Sequence, residues 1–181
     1  MAAKKITKVG MGKCDVYVKD IEDASAKWLK VPTPVQNSTQ LNPAQGEKQE
    51  AKVEGGDNED VVYGRNNYSA VMQIRRTSNR DMPIKHIDGT VAHNYAMACI
   101  PRGGKEGVPG FYIPNSSVQV QDSFTTTDGG TDLYTFDAVA PDDGDDDSKK
   151  VKWGVITATE ADGAITLTGK GGDFSDAGET L

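Results

Sequence analysis

The chain has 181 residues, a formal net charge of −7 and 36% hydrophobic residues. That is enough chain for one domain to close a core without metal or disulfide staples, and the acidic balance argues against tight, non-specific nucleic-acid binding, which needs clustered Lys and Arg. The 20 glycines suit a β-rich domain with many turns and long surface loops better than a helical bundle.

Residues 1–11 are Lys-rich and Gly-broken, with no apolar stretch of the kind that directs export. Cys14 and Cys99 therefore read as buried free thiols rather than a disulfide. No run approaches the apolar length that crosses a membrane as a helix.

Cys14 to Lys19 alternates Cys14, Val16 and Val18 against Asp15, Tyr17 and Lys19, the period of a half-buried strand. Trp28 to Val31 is a second short strand. Pro32 to Asp60 is long and polar, with six acidic residues between Glu47 and Asp60. It cannot bury a core of its own, so it is expected to be an extended arm, a loop or protruding hairpin that a partner would order.

Tyr68 to Arg76 is a strand with Tyr68, Ala70, Met72 and Ile74 on one face. Asp81 to Asp88 is the one helix candidate, with Asp81 as cap, Pro83 in the first turn and Ile84 and Ile87 on a shared face. Val91 to Ile100 is apolar on both sides and reads as a central strand. Phe111 to Ile113 and Val118 to Phe124 are two further strands. Asp128-Gly129-Gly130 is a hairpin turn, and Asp132 to Ala140 is the returning strand.

Pro141 to Lys150 holds five aspartates and reads as an exposed loop. Val151 to Thr159 carries Val151, Trp153, Val155 and Thr157 on one face, and Asp162-Gly163 turns into Ala164 to Thr168. The tail, 169–181, is expected to be flexible or held by a partner. The chain thus reads as one domain over 1–181, mainly β, an antiparallel β-sandwich or barrel with one short flanking helix and a long protruding loop or hairpin. Val53, Ala70, Met72, Val91, Ala96, Phe124, Phe136 and Trp153 are the expected core.

No catalytic centre is expected. Neither His86 nor His93 lies in a nucleophile motif, and His93 and Cys99 would stand about 20 Å apart along one strand. Cys14, Cys99, His86 and His93 lack the close paired spacing of zinc sites. The run Asp142 to Asp147 lacks the ordered ligand pattern of an EF-hand, and Arg102-Gly103-Gly104-Lys105 lacks the full P-loop. No cofactor or metal is implied. Arg65, Arg75, Arg76, Arg80 and Lys85 make a mildly basic middle, read as a solvated or inter-subunit face, with an anion or nucleic-acid surface as the sharper alternative. Acid at 47–60 and 142–147 and base at 65–85 are separate patches through which identical subunits could close a ring.

The order of elements resembles the major tail tube proteins of long-tailed bacteriophages. The resemblance covers most of the chain: the strand Cys14 to Lys19, the short Trp28 strand, the arm 32–60, the strand 68–76, the helix 81–88 ending at Asp88-Gly89, and a late meander. That meander holds Asp132-Leu-Tyr-Thr-Phe-Asp-Ala-Val139, an acidic loop and Val151-Lys-Trp-Gly154, and its Tyr-Thr-Phe and Lys-Trp-Gly pieces look like those of such subunits. The resemblance implies two packed antiparallel sheets with a flanking helix. It implies six-copy rings whose inner sheets join into a barrel, stacked into a tube through the long arm and the termini. The partners would be further copies of the chain and the tail terminator, tape measure and distal tail proteins, in a virion tail made in the host cytoplasm. Genomic DNA would pass through the lumen without specific binding, past a wall whose negative charge keeps it slippery. The hairpin 151–168 and the tail beyond it look like additions to that fold. The alternatives are another virion part (tail terminator, neck or capsid decoration protein) or a β-sandwich binding module.

Overall fold

The structure, a computed structural model, describes residues 12–102, 107–140 and 148–181. Among these residues the chain is mainly β and has no helix. The strands are β1 (Cys14–Asp20), β2 (Leu29–Lys30), β3 (Gln40–Ala44), β4 (Lys48–Lys52), β5 (Asn58–Tyr63), β6 (Asn67–Arg75), β7 (Tyr95–Pro101), β8 (Gly110–Thr125), β9 (Gly129–Ala138), β10 (Lys152–Ala161), β11 (Ala164–Lys170) and β12 (Glu179–Thr180). Their pairings are all antiparallel.

One branch of the main sheet runs β12-β11-β10-β8-β7-β1-β2, and a second leaves β8 through β9 and β6 to β3. It does not close into a barrel: β2, β12 and β3 are its ends. β8 serves both branches. Its first residues pair with β10 (Tyr112↔Lys152) and β7 (Ile113↔Met97), and from Ser116 onward it pairs with β9.

The segments expected as two strands, 111–113 and 118–124, are therefore one strand of 16 residues. The apparent break at Pro114-Asn115 is a bulge, where the register against β7 shifts between Tyr95 and Met97. A proline is tolerated there because a bulge leaves a residue outside the ladder. The Ser116 hydroxyl donates to the Tyr95 carbonyl at 2.6 Å, and the Asn94 side-chain amide donates to Asn115 Oδ1 at 3.0 Å, which fixes the bend.

Because β8 changes branch, inward side chains from both meet in one core. Val16, Val18, Met97, Cys99, Phe111 and Ile113 pack with Ala70, Met72, Ile74, Val118, Val120, Tyr134 and Phe136. The other face of β1 and β7 is also covered: Tyr17, Ala96 and Ala98 pack with Trp28, Ile156, Leu167 and Phe174. Two-sided burial explains why β7 reads as apolar on both sides.

Three further segments differ from expectation. The helix over 81–88 does not form. Ile87 and Thr90 bridge each other around Asp88 (φ 48°) and Gly89 (φ 83°), a tight turn that needs positive φ at both positions. The Gly89 carbonyl accepts from the Val120 amide at 3.0 Å, and Thr90 bridges Gln119, so the turn caps an edge of β8. Covering that edge outweighs one or two helical turns, whose nucleation is itself unfavourable. Ile84 and Ile87 share no face: Ile84 is buried, Ile87 is 82% exposed.

The second correction is the arm. Gln40–Ala44 is not part of it but pairs with β6 in the main sheet. The free hairpin is β4–β5, so it extends past Asp60 to Tyr63.

The third is the tail after Gly169, which folds back. The Leu181 amide donates to the Leu167 carbonyl at 3.0 Å, and Trp28 Nε1 donates to the Leu181 carbonyl at 2.9 Å. Phe174 is buried against Gly154 and Gly169; a Cβ at either would lie 2.5 Å and 2.7 Å from its ring. The acidic loop expected at 142–147 lies outside the described residues.

Ala70, Met72, Ala96 and Phe136 are buried as expected, and Val91 packs half-buried against the core. Val53, Phe124 and Trp153 are exposed instead. Val53 sits at the tip of the free hairpin, and Phe124 near the tip of β8–β9, opposite Gly130. Trp153 is on the wrong phase: Val151 belongs to the first cluster, but along β10 it is Gly154 and Ile156 that point inward.

The core carries one unmet side-chain polar atom among the described residues, the Tyr134 hydroxyl, and burial pushes that phenol up to about 12. Tyr134→Phe should therefore raise unfolding stability by about 1–3 kcal/mol in urea titration, because an orphaned donor is removed at little cost in shape. Phe174→Ala should lower it by about 3–5 kcal/mol in the same assay, the ordinary cost of emptying a buried aromatic site.

Candidate functional site

The feature least explained by the body of the protein is the β4–β5 hairpin. Neither strand pairs with the main sheet. Every residue of β4 is exposed, and in β5 only Val61 is half-buried. A lone two-stranded hairpin is marginal in water. It is held at its base, where the Gly64 amide donates to the Glu47 carbonyl at 2.7 Å. Gly46 makes this neck possible: a Cβ there would lie 2.1 Å from the Gly64 carbonyl oxygen. The tip closes through Val53 and Asp57 (3.0 Å), with Gly55 and Gly56 at φ 107° and 90°.

The hairpin carries exposed apolar side chains at Val53 (45%), Val62 (56%) and Tyr63 (54%). Its charge is acidic: Glu47, Glu50, Glu54, Asp57, Glu59 and Asp60 against Lys48 and Lys52. Both lysines are spent on Glu50. A second projection is the β8–β9 tip, exposed from Gln121 to Asp128 and carrying Phe124 at 75%. Among the described residues the outer edge of β3 is also unpaired, and Pro43 within it limits strand addition.

The basic middle is not one face. Arg76 bonds the buried carboxylate of Asp132 at 2.7 Å and lies 3.9 Å from Asp122, while Arg75 lies 3.6 Å from Asp128. Arg76, Arg80, Lys85 and His86 line a cavity of about 460 Å³ with Asp132. Arg65 sits elsewhere, bonded to the Ser148 carbonyl, in a cavity of about 300 Å³ with Lys149, Lys150 and Trp153. Sequence proximity grouped these residues, but the length of β6 separates Arg65 from the other four, of which Arg75 ends that strand.

His86 accepts from the Gly89 amide at 3.1 Å and has a local role in the turn. His93 is on the surface, with Nδ1 2.7 Å from Asp20 Oδ2. Arg102 pairs with Asp15; residues 103–106 lie outside the described part. Among the described residues, no three His, Cys, Asp or Glu side chains gather in a way that could hold a metal ion. Cys14 and Cys99 do come together, on adjacent strands, which their separation in sequence concealed.

A scan against models of known protein families matches none, and a search of curated proteins finds no match.

The Asp20–His93 pair gives a titration test. Bonding to Asp20 raises the His93 imidazole above its ordinary value. Partial burial opposes ionisation of Asp20, but the bonds from His93 and from the Glu22 and Asp23 amides outweigh it and hold the carboxyl below its ordinary value. The raised histidine contributes fully below about pH 6.5 and its share is lost as pH rises through its folded value; the lowered carboxylate contributes above about pH 4 and its share is lost on acidification. The pair is thus strongest between those limits. In an NMR titration His93 should have a midpoint above about 6.5, and Asp20→Asn should move it back towards that value, with Glu22 and Asp23 still holding it up.

Proposed function

We propose that this chain is a non-enzymatic β-sandwich subunit that joins copies of itself into stacked rings of six, forming the tail tube of a long-tailed bacteriophage through which genomic DNA is delivered. The β4–β5 hairpin carries the reading. It is built, through a glycine neck, to stand clear of its own body while presenting Val53, Val62 and Tyr63. Apolar side chains on an unsupported hairpin gain burial only on another surface, and a neighbouring copy in a ring or stack is always present at the right geometry. The unpaired outer edge of β3 and the β8–β9 tip supply further contacts for closure. In this reading the subunit also meets tail terminator, tape measure and distal tail proteins at the ends and inside of the tube. The net charge of −7 suits a wall that lets DNA slide rather than bind.

A deletion that tests this must leave β3 paired with β6. Removing 40–58 would strip β3 from β6 and expose Leu41, which packs against the core. Removing 48–63 and joining Glu47 to Gly64 through a short glycine linker leaves the main sheet whole. In negative-stain imaging and sedimentation, the full chain should form rings and tubes. The shortened chain should be a monomer with an unchanged circular dichroism spectrum. Tubes formed by the shortened chain would overturn the role of the hairpin, and closed rings that never stack in the full chain would favour a terminator-type part.

A further inference from the structure

Cys14 and Cys99 stand diagonally on neighbouring strands: Val16 faces Cys99, and Cys14 faces Pro101. Cys99 is 5% exposed within the first core cluster, and Cys14 packs against that cluster. Cys14 is half-buried, and its other side lines a cavity of about 450 Å³ with Lys13, Thr33, Gln36, Asn37 and Thr39. The side chains of Cys99 and Thr39 are both neighbours of Cys14, Thr39 on the cavity side. Neither cysteine is in a disulfide. The arrangement is two sulfurs side by side, one sealed in the core and one facing a cavity large enough for a small molecule.

We propose that this pair is a modification site for peroxides, with Cys14 as the attacking thiolate, Cys99 as the resolving thiol, and an intrachain disulfide as the product. The site is independent of the tube reading and uses a part of the molecule that reading leaves idle.

The electrostatics fit these roles. Hydrogen bonding from Cys99, helped by Thr39, lowers Cys14 to about 6, while burial and the Asp15 carboxylate oppose it. Asp15 is itself neutralised by Lys30 at 3.3 Å and by Arg102. The bond given to Cys14, together with burial, pushes Cys99 far up, so it keeps its proton while Cys14 ionises. The Cys14 thiolate attacks one oxygen of the peroxide; an S–O bond forms, the O–O bond breaks, and the other oxygen leaves as water or an alcohol after taking a proton. Cys99 then attacks the Cys14 sulfur, an S–S bond forms, and the sulfenic hydroxide leaves as water with the Cys99 proton. The two electrons withdrawn from the sulfur pair are those that reduce the peroxide.

Diagonal strand neighbours are about 7–8 Å apart at Cα, beyond the usual disulfide range of about 4.4–6.8 Å. Closure must draw Cys14, the first residue of β1, towards β7. The bridge is therefore strained and readily reduced again, as a reversible modification requires.

Alkylation and mass spectrometry of the full chain test this. At pH 6.5 a thiol of pKa about 6 is about three-quarters ionised against about 1% for an ordinary one, and its lower intrinsic nucleophilicity cancels roughly tenfold of that. Cys14 should therefore react with iodoacetamide several-fold faster than free cysteine at pH 6.5, with a midpoint near 6. Hydrogen peroxide should give a monomer lighter by two hydrogens and closed to alkylation until reduced. In Cys99→Ser, oxidation should stop at a dimedone-reactive sulfenic acid on Cys14; Cys14→Ser should give neither product. A Cys14 midpoint at the ordinary thiol value, or peroxide treatment that leaves both thiols free in a chain with native circular dichroism, would overturn the proposal.

Discussion

The fold depends on one constraint, that β8 must pair with two different sets of neighbours along its length. Up to Ile113 it lies between β10 and β7; from Ser116 it lies beside β9. The bulge at Pro114-Asn115, pinned by Ser116 on the Tyr95 carbonyl, lets a single strand turn from one branch into the other. Without that bend the inward faces of the branches could not meet, and Met97 and Ile113 would have no Met72, Tyr134 or Phe136 to pack on. The Asp88-Gly89 turn belongs to the same device, because it covers the edge of β8 beyond the end of β7.

The molecule divides its surfaces accordingly. Strands β1 and β7 are buried on both faces, by the second branch on one side and by β10, β11 and the chain end on the other. Phe174 closes the second side by filling the space that Gly154 and Gly169 leave empty. What remains unsatisfied lies at the periphery: the β4–β5 hairpin, the edge of β3 and the β8–β9 tip. In the proposed reading these projections are the parts that a further copy would cover.

Much of this was legible in the sequence. Period-2 alternation located β1, β6 and β9, and the Asp-Gly pairs marked turns at 128–130 and 162–163, because alternation and positive-φ glycine act locally. The failures are where distant parts of the chain decide. Pro114 reads as a strand break until a bulge opposite β7 accommodates it. Residues 81–88 read as a helix until the edge of β8 demands a turn. The glycine-rich end reads as frayed until Gly154 and Gly169 are seen as the seat of Phe174. At the candidate site, the polar run that became the hairpin was visible from composition, but its neck was not, because the contact of Gly46 with Gly64 joins residues with no local pattern. The pairing of Cys14 with Cys99 was hidden for the same reason: it follows from the β1–β7 register alone.

The most direct test of the central claim, that the hairpin is completed by another copy, is hydrogen exchange of the full chain over a range of protein concentration. Amides of 48–63 should exchange freely at high dilution and become protected as rings and tubes form, while those of β7 and β8 stay protected throughout. Protection of the hairpin already complete in the dilute monomer, or a hairpin still unprotected in a concentrated solution that never assembles, would contradict it.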